Sequence, residues 1–347
     1  MSGGVDSSVA ALRMKQQGYD CVGATMRLFC NEDAGISSEK SCCSLEDVED
    51  ARSVAYSLKM PYYVFNFTED FESEVIRHFV SVYKAGATPN PCIDCNRTMK
   101  FDKLYRRAVL LGCDCIVTGH YARIEQEGGR FLLKKAVDAA KDQSYVLYFL
   151  TQEQLAHTQF PLGGLCKPEI RRIARQHGFV NARKRESQDI CFVPDGDYAS
   201  VIELHTGKPC APGLFVGRDG AVLGRHKGII RYTIGQRKGL GLSSNEPLYV
   251  CGKSARNNTV TLGRNEDLFS RELDAEDVNW IPFDQPPESL RVKAKIRYRQ
   301  EEQWAVVTPT GPQTIHVAFD EPQRAVAKGQ AVVLYDGDLV VGGGTIL

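Results

Sequence analysis

The chain has 347 residues, and its 43 Lys and Arg balance 43 Asp and Glu, so the formal net charge is zero. Hydrophobic residues make up 43%, ample for packed cores, and no apolar run approaches the roughly 18 residues of a membrane span. With no signal-peptide pattern in the opening residues, this excludes a disordered chain, a membrane protein and a secreted precursor. A length of roughly 150 residues per domain predicts two domains, or three small ones. Zero charge argues, on its face, against a nucleic-acid binder. Twelve cysteines in a chain of this size predict a cytoplasmic protein with reduced thiols rather than a disulfide scaffold, and only Cys92-x-x-Cys95 has motif spacing.

In chain order, apolar spacing predicts a helix over 7–17, stopped by Gly18, and a strand over 20–26. Ser44 with Asp47 forms a capping box ahead of Leu45, Val48, Ala51, Ala55 and Leu58 at helical spacing. A strand over 62–67 follows, then a helix carrying Phe71, Val75, Ile76, Phe79 and Val80 and ending at Gly86. After the Pro-rich loop 88–91, Met99, Leu104, Ala108 and Leu111 mark a helix closed by Gly112, and 113–118 is the next strand, with Cys113 and Cys115 on one face. Such alternation means crossover units on a parallel sheet with helices on both faces. From about Cys210, Gly and Pro become dense and short strands are expected over 213–216, 228–232, 248–251, 259–262, 291–299, 304–308, 314–319 and 331–335. That texture predicts two small β-rich domains, the last barrel-like. The expected division is 1–200, 201–280 and 281–347, with the three prolines of 281–288 near the second boundary.

The opening string Ser2-Gly3-Gly4-Val5-Asp6-Ser7-Ser8 runs straight into a helix. Glycines let the backbone fold tightly, and the N–H groups of a helix start cradle an anion. A bare glycine pair would be a flexible turn; the full string before an amphipathic helix is far more specific. It lacks the lysine of G-x-x-x-x-G-K-[ST] and so is not the loop that transfers a γ-phosphate. It resembles the PP-loop of ATP pyrophosphatases, and the resemblance implies ATP, with Mg2+, adenylating an oxygen and releasing pyrophosphate. A PP-loop ordinarily follows the central strand of its sheet, which sets the expectation of a further strand, about ten residues, upstream of Met1.

Cys92 and Cys95 sit just before a helix, whose N-terminus favours thiolate. Zinc ligands, a redox pair, or a nucleophile with a bystander all fit that spacing, although zinc needs about four ligands. Cys191, between Ile190 and Phe192, reads by default as a buried, inert thiol. The segments 2–8, 88–101 with Cys95, Thr118-Gly119-His120-Tyr121, Lys141-Asp142-Gln143-Ser144-Tyr145, 187–192, 233–239 and Arg297-Tyr298-Arg299-Gln300 occur in this order along the chain. Together they resemble the bacterial tRNA-specific 2-thiouridylases across essentially the whole sequence.

The resemblance implies ATP over Ser2, Gly3, Gly4, Val5, Asp6 and Ser7, with Met26 and Gly119 near the adenosine. It implies adenylation of the C2 oxygen of the wobble uridine, a persulfide on Cys191, and Cys95 as nucleophile closing a transient disulfide with Cys191. It places Asn90, Pro91 and Cys92 against the target base, and His120, Lys141, Asp142, Gln143, Arg297, Tyr298 and Gln330 against tRNA. A persulfide-donating sulfur carrier or cysteine desulfurase is the implied partner. Many members of the family carry aspartate at the position of Cys92. For Cys92 the resemblance leaves an assisting thiol, a bystander or, with Cys95 and Cys191, a ligand of a [4Fe–4S] cluster. His120 alone would be a structural histidine; its place at a strand's C-terminal end points to ligand.

The zero charge hides segregation: 41–74 carries a net of −6, 167–185 of +6 and 218–241 of +5. Over 291–299, Arg291, Lys293, Lys295, Arg297 and Arg299 are expected on one strand face, where mutual repulsion favours a polyanionic partner. The sequence therefore predicts a tRNA sulfurtransferase. Another PP-loop ligase or amidotransferase, and a non-catalytic RNA-binding module, are the competing readings.

Overall fold

The computed structural model describes residues 1–29, 45–184, 190–193 and 196–347. They divide into two compact units, one of 1–75, 92–196 and 337–341, the other of 76–91, 197–336 and 342–347. Ser44 of the expected capping box, and 187–189 of the Cys191 motif, lie outside the described residues. No helix among them is long and apolar enough to cross a membrane.

The first unit starts with α1 (Val5–Gln16), whose Val5, Val9 and Leu12 recur at helical spacing and are buried with Val54, Tyr121, Leu162, Ile170 and Phe179. Each such side chain contributes about 1.5–3 kcal/mol by leaving water. β1 (Gly23–Arg27) pairs in parallel with β2 (Tyr62–Asn66), and α2 (Leu45–Ser57) is the crossover between them. A second parallel pair joins β3 (Ile116–Val117) to β6 (Thr158–Gln159). The expected parallel α/β architecture is therefore present. Strand β3 is shorter than 113–118 suggests, and Cys113 and Cys115 precede it half-buried. Between β3 and β6 in the chain, β4 (Ala122–Glu127) and β5 (Arg130–Lys135) form a hairpin turned by Gly128-Gly129.

In the second unit, β7 (Gly213–Val216), β8 (Val222–His226), β9 (Tyr249–Ser254) and β10 (Thr259–Gly263) form one sheet in the order β8-β7-β10-β9. The strands β11 (Phe269–Trp280), β12 (Leu290–Lys295), β13 (Gln303–Gly311), β14 (Thr314–Arg324), β15 (Ala331–Asp336) and β16 (Leu339–Ile346) follow in the order β11-β14-β13-β12-β15-β16. The sheet closes where Ala275 of β11 pairs with Ile346 of β16. This is the expected barrel, and closure removes its free edges. Two strand expectations are corrected. Ile229–Arg231 is a single tight helical turn, because Gly228 at φ 118° breaks the extended backbone before it. β12 stops at Lys295 rather than running to 299.

Candidate active site

Gly4 caps α1 in an extended conformation and offers no side chain to the first helical N–H groups. The loop is held from within: the Ser2 amide donates to Ser7 Oγ at 3.1 Å, and Ser7 and Ser8 hydroxyls donate to the Gly4 carbonyl at 3.0 and 3.1 Å. A helix start whose N–H groups meet no capping side chain is an anion site. Gly3, at φ 70°, lies so close to α2 that a Cβ would stand 2.4 Å from the Asp47 carbonyl. Gly119 approaches from the other side, where a Cβ would meet the Asp6 carbonyl carbon and the Ser7 nitrogen at 2.9 Å. Met26, half-buried near the C-terminal end of β1, occupies the strand end where such sheets take ligands.

Three residues brace this loop, and of them only Tyr121 stood in a motif the sequence singled out, 118–121. Lys167 is buried, and its Nζ donates to both oxygens of Asp6 at 2.8 Å, while Tyr121 donates its hydroxyl to Asp6 Oδ1 at 2.7 Å. Buried Asn181 donates its amide to the Gly3 carbonyl and to Ser8 Oγ, both at 2.9 Å. No local pattern marks Lys167 or Asn181 for this role, because each acts more than a hundred residues away. Asp6, partly exposed, thus accepts three hydrogen bonds from Lys167 and Tyr121.

Around Gly119, His120 is buried and its Nδ1 is 2.8 Å from Thr118 Oγ1. Burial, with Lys100 nearby, drives its pKa well below 6.5, so the imidazole is neutral. Its ring sits 6.0 Å from Phe101 and 5.9 Å from Phe160. Gln143 accepts from the Tyr121 amide at 3.0 Å and Asp142 accepts from the Ala136 amide and the Ser144 hydroxyl. In this structure these residues shape the segments around Gly119, next to the α1 N-terminus. Lys141 is half-buried next to them.

Pro91 starts the helical stretch 91–110, a position that tolerates its missing N–H. Cys92 is exposed in its first turn; Cys95 is half-buried and opens Cys95–Leu104, where the backbone winds in wider π-type turns. Such turns recur at functional sites. Buried Asn96 ties this stretch to the Val146 carbonyl at 3.3 Å. Half-buried Cys191 lies in a short turn closed by a bond from the Val193 amide to the Ile190 carbonyl. Phe192 is buried edge-on against Phe71, with ring centres 5.6 Å apart, and Lys103 of the Cys95 helix bonds Asp70 at 2.7 Å. The two cysteine-bearing segments thus anchor on adjacent residues, Asp70 and Phe71. Among the described residues no group of three Cys, His, Asp or Glu side chains is placed to hold a metal ion.

In the second unit, Gln330 donates to the Thr88 and Pro89 carbonyls at 2.8 and 3.2 Å, and the Thr88 amide donates to Lys328. It therefore fixes the loop leading into half-buried Asn90 and buried Pro91. Arg297 donates to the Ala325 carbonyl at 2.6 Å, and Tyr298 is exposed. The expected line of five cations is corrected to three, Arg291, Lys293 and Lys295, because the chain leaves the strand before Arg297. Arg291 is moreover paired with Asp320 through two bonds of 2.8 and 2.6 Å. The segregated charge is also partly neutralised in the first unit, where Lys184 bridges Asp47 at 2.8 Å and Asp50 at 2.5 Å on α2. A cleft of about 440 Å³ in the second unit carries its own paired charges, Arg218 with Asp267 and Arg264 with Glu246.

Residues 1–195 match the family described as the tRNA methyl transferase HUP domain. Residues 201–264 match its PRC-barrel domain, and 270–346 match the aminomethyltransferase beta-barrel domain. Fold and loop thus define an HUP-domain protein with two β-barrel modules. Over its whole length the chain is 53% identical to the tRNA-specific 2-thiouridylase MnmA of Clostridioides difficile, covering 96% of that protein. It is 51% identical to the MnmA of Acetivibrio thermocellus and 49% to that of Clostridium acetobutylicum, again over the whole chain and 97% and 98% of each relative. The chain belongs to the tRNA-specific 2-thiouridylase family.

Proposed function

We propose that the protein is a tRNA-uridine 2-sulfurtransferase that uses ATP and a persulfide. ATP lies over Ser2–Ser7, with its phosphates on the α1 N-terminus and its adenosine beside Met26 and Gly119. The uridine C2 oxygen attacks the α-phosphate and pyrophosphate leaves, which turns a poor leaving group into AMP. A sulfur carrier or cysteine desulfurase loads Cys191 as a persulfide, and its terminal sulfur attacks C2 and displaces AMP. The Cys95 thiolate then attacks the Cys191 sulfur, releasing thiouridine and leaving a Cys95–Cys191 disulfide, which an external thiol reduces. Asn90, Pro91 and Cys92 face the target base, which must leave its stack to react. His120, Lys141, Asp142, Gln143, Arg297, Tyr298 and Gln330 lie toward the tRNA, and residues 281–347 form its docking domain.

The observation that carries this reading is the docking of both cysteine segments on Asp70 and Phe71, in the unit that holds the uncapped loop. Mass spectrometry of tRNA incubated with the protein, ATP and a persulfide donor tests it. The expected product is a 2-thiouridine, formed with stoichiometric AMP and lost in Cys191→Ser and Cys95→Ser while tRNA binding persists. Incorporation of ammonia in place of sulfur would overturn it in favour of an amidotransferase, and no pyrophosphate release with tRNA would favour a binding module.

A further inference from the structure

Trp304 stands on the outer face of β13, 47% exposed and directly opposite Lys293 of β12. The Lys293 Nζ and the Arg291 guanidinium each lie 5.4 Å from the centre of the indole ring. Arg291 is fixed there by its two bonds to Asp320, which β13–β14 pairing sets on the opposite flank of Trp304. The remaining neighbours on that face, Val306 and Ala318, are short and leave the indole standing proud. Farther along, Lys295 Nζ lies 5.9 Å from the ring of Tyr298, itself 37% exposed.

A tryptophan held half in water between strand cations has the two parts a nucleotide engages: a flat π surface for the base and ammonium groups for the adjoining phosphates. Asp320 offsets Arg291, and the Lys293 ammonium stands beside the indole on the same face. We infer that Trp304 is a stacking platform for an unpaired base of the RNA, with Lys293 on the adjoining phosphate. The inference rests on the reading of the protein as a tRNA enzyme and adds a contact outside the cysteine site. The pinned Arg291 keeps the indole oriented before RNA arrives, so little rotamer freedom is lost on binding.

The chain has two tryptophans, so Trp280→Phe leaves Trp304 as its sole indole fluorophore. Its emission is followed while a short single-stranded oligoribonucleotide, and then the tRNA substrate, is added. Saturable quenching is expected with both. Trp304→Leu, which keeps apolar bulk without a π face, is expected to raise the tRNA Kd and KM by roughly tenfold with kcat unchanged, and Trp304→Phe to restore most of the affinity. Unquenched Trp304 in a protein that binds and thiolates tRNA, or a Trp304→Leu variant with wild-type Kd, overturns the platform alone. Quenching without thiolation by the parent protein upholds the platform and overturns the enzymatic reading instead.

Discussion

Burial lowers the Lys253 ammonium from its ordinary 10.5 to about 8, although its Nζ donates to the Tyr232 carbonyl at 2.9 Å and sits 5.8 Å from the Tyr83 ring. Between about 8 and 10.5 the unfolded chain keeps a proton that the folded chain has released, so stability rises with pH across that window. The cost of the buried charge is fully present below it. Denaturant titrations at about pH 7.5 and about pH 9.5 should therefore show wild type gaining on the order of 1–2 kcal/mol relative to Lys253→Met. The same sign holds for His120 in a lower window: its folded pKa is depressed, so stability is lost as pH falls below 6.5. Lys167→Ala strips Asp6 of its cation and is expected to cost about 1–3 kcal/mol in thermal or denaturant unfolding, with weaker ATP binding by calorimetry. Little of this was visible in the sequence. Asp6 was legible as part of the loop, whereas Lys167 read as one member of a basic run.

At the scale of elements, the cradle depends on three segments meeting at van der Waals distance. Gly119→Ala inserts a methyl 2.9 Å from loop backbone that cannot yield, so it should weaken ATP binding and cost about 1–3 kcal/mol, read by calorimetry and denaturation. Phe71 is 1% exposed and supports Phe192, so Phe71→Ala should cost about 3–5 kcal/mol and lower the thiolation rate more than tRNA affinity. Equal loss of both would mean that Phe71 does not position Cys191. Helices α1 and α2 and strands β1 and β2 were legible within a few residues because their apolar periodicity is local. The hairpin β4–β5 and strands β8, β11 and β16 were not. Their alternation is diluted by charged or glycine residues, and pairing across the sheet decides them.

At the scale of the molecule, zero net charge proved uninformative, but its segregation was over-read as well. Lys184 and Lys167 of the basic run are bound to acids, and Arg291 is bound to Asp320. Binding of tRNA should still weaken with salt, by at least about tenfold between about 50 and about 200 mM as counterion release demands. A flat response in a filter-binding or anisotropy titration would remove the β12 face as a phosphate contact.

By itself the sequence determined the glycine-rich loop at the start of α1, the Cys92-x-x-Cys95 spacing, the parallel α/β beginning and the β-rich end, since each is written in contiguous residues with local periodicity or spacing. Only the tertiary structure decided that Asp6 is locked by Lys167 and that Asp70 and Phe71 anchor both cysteine segments. It also showed that Gln330 holds the 88–89 loop and that Arg291 lies against Trp304. Those pairings join residues far apart along the chain, and the free energy that fixes them comes from burial and hydrogen bonds that exist only once the chain has folded.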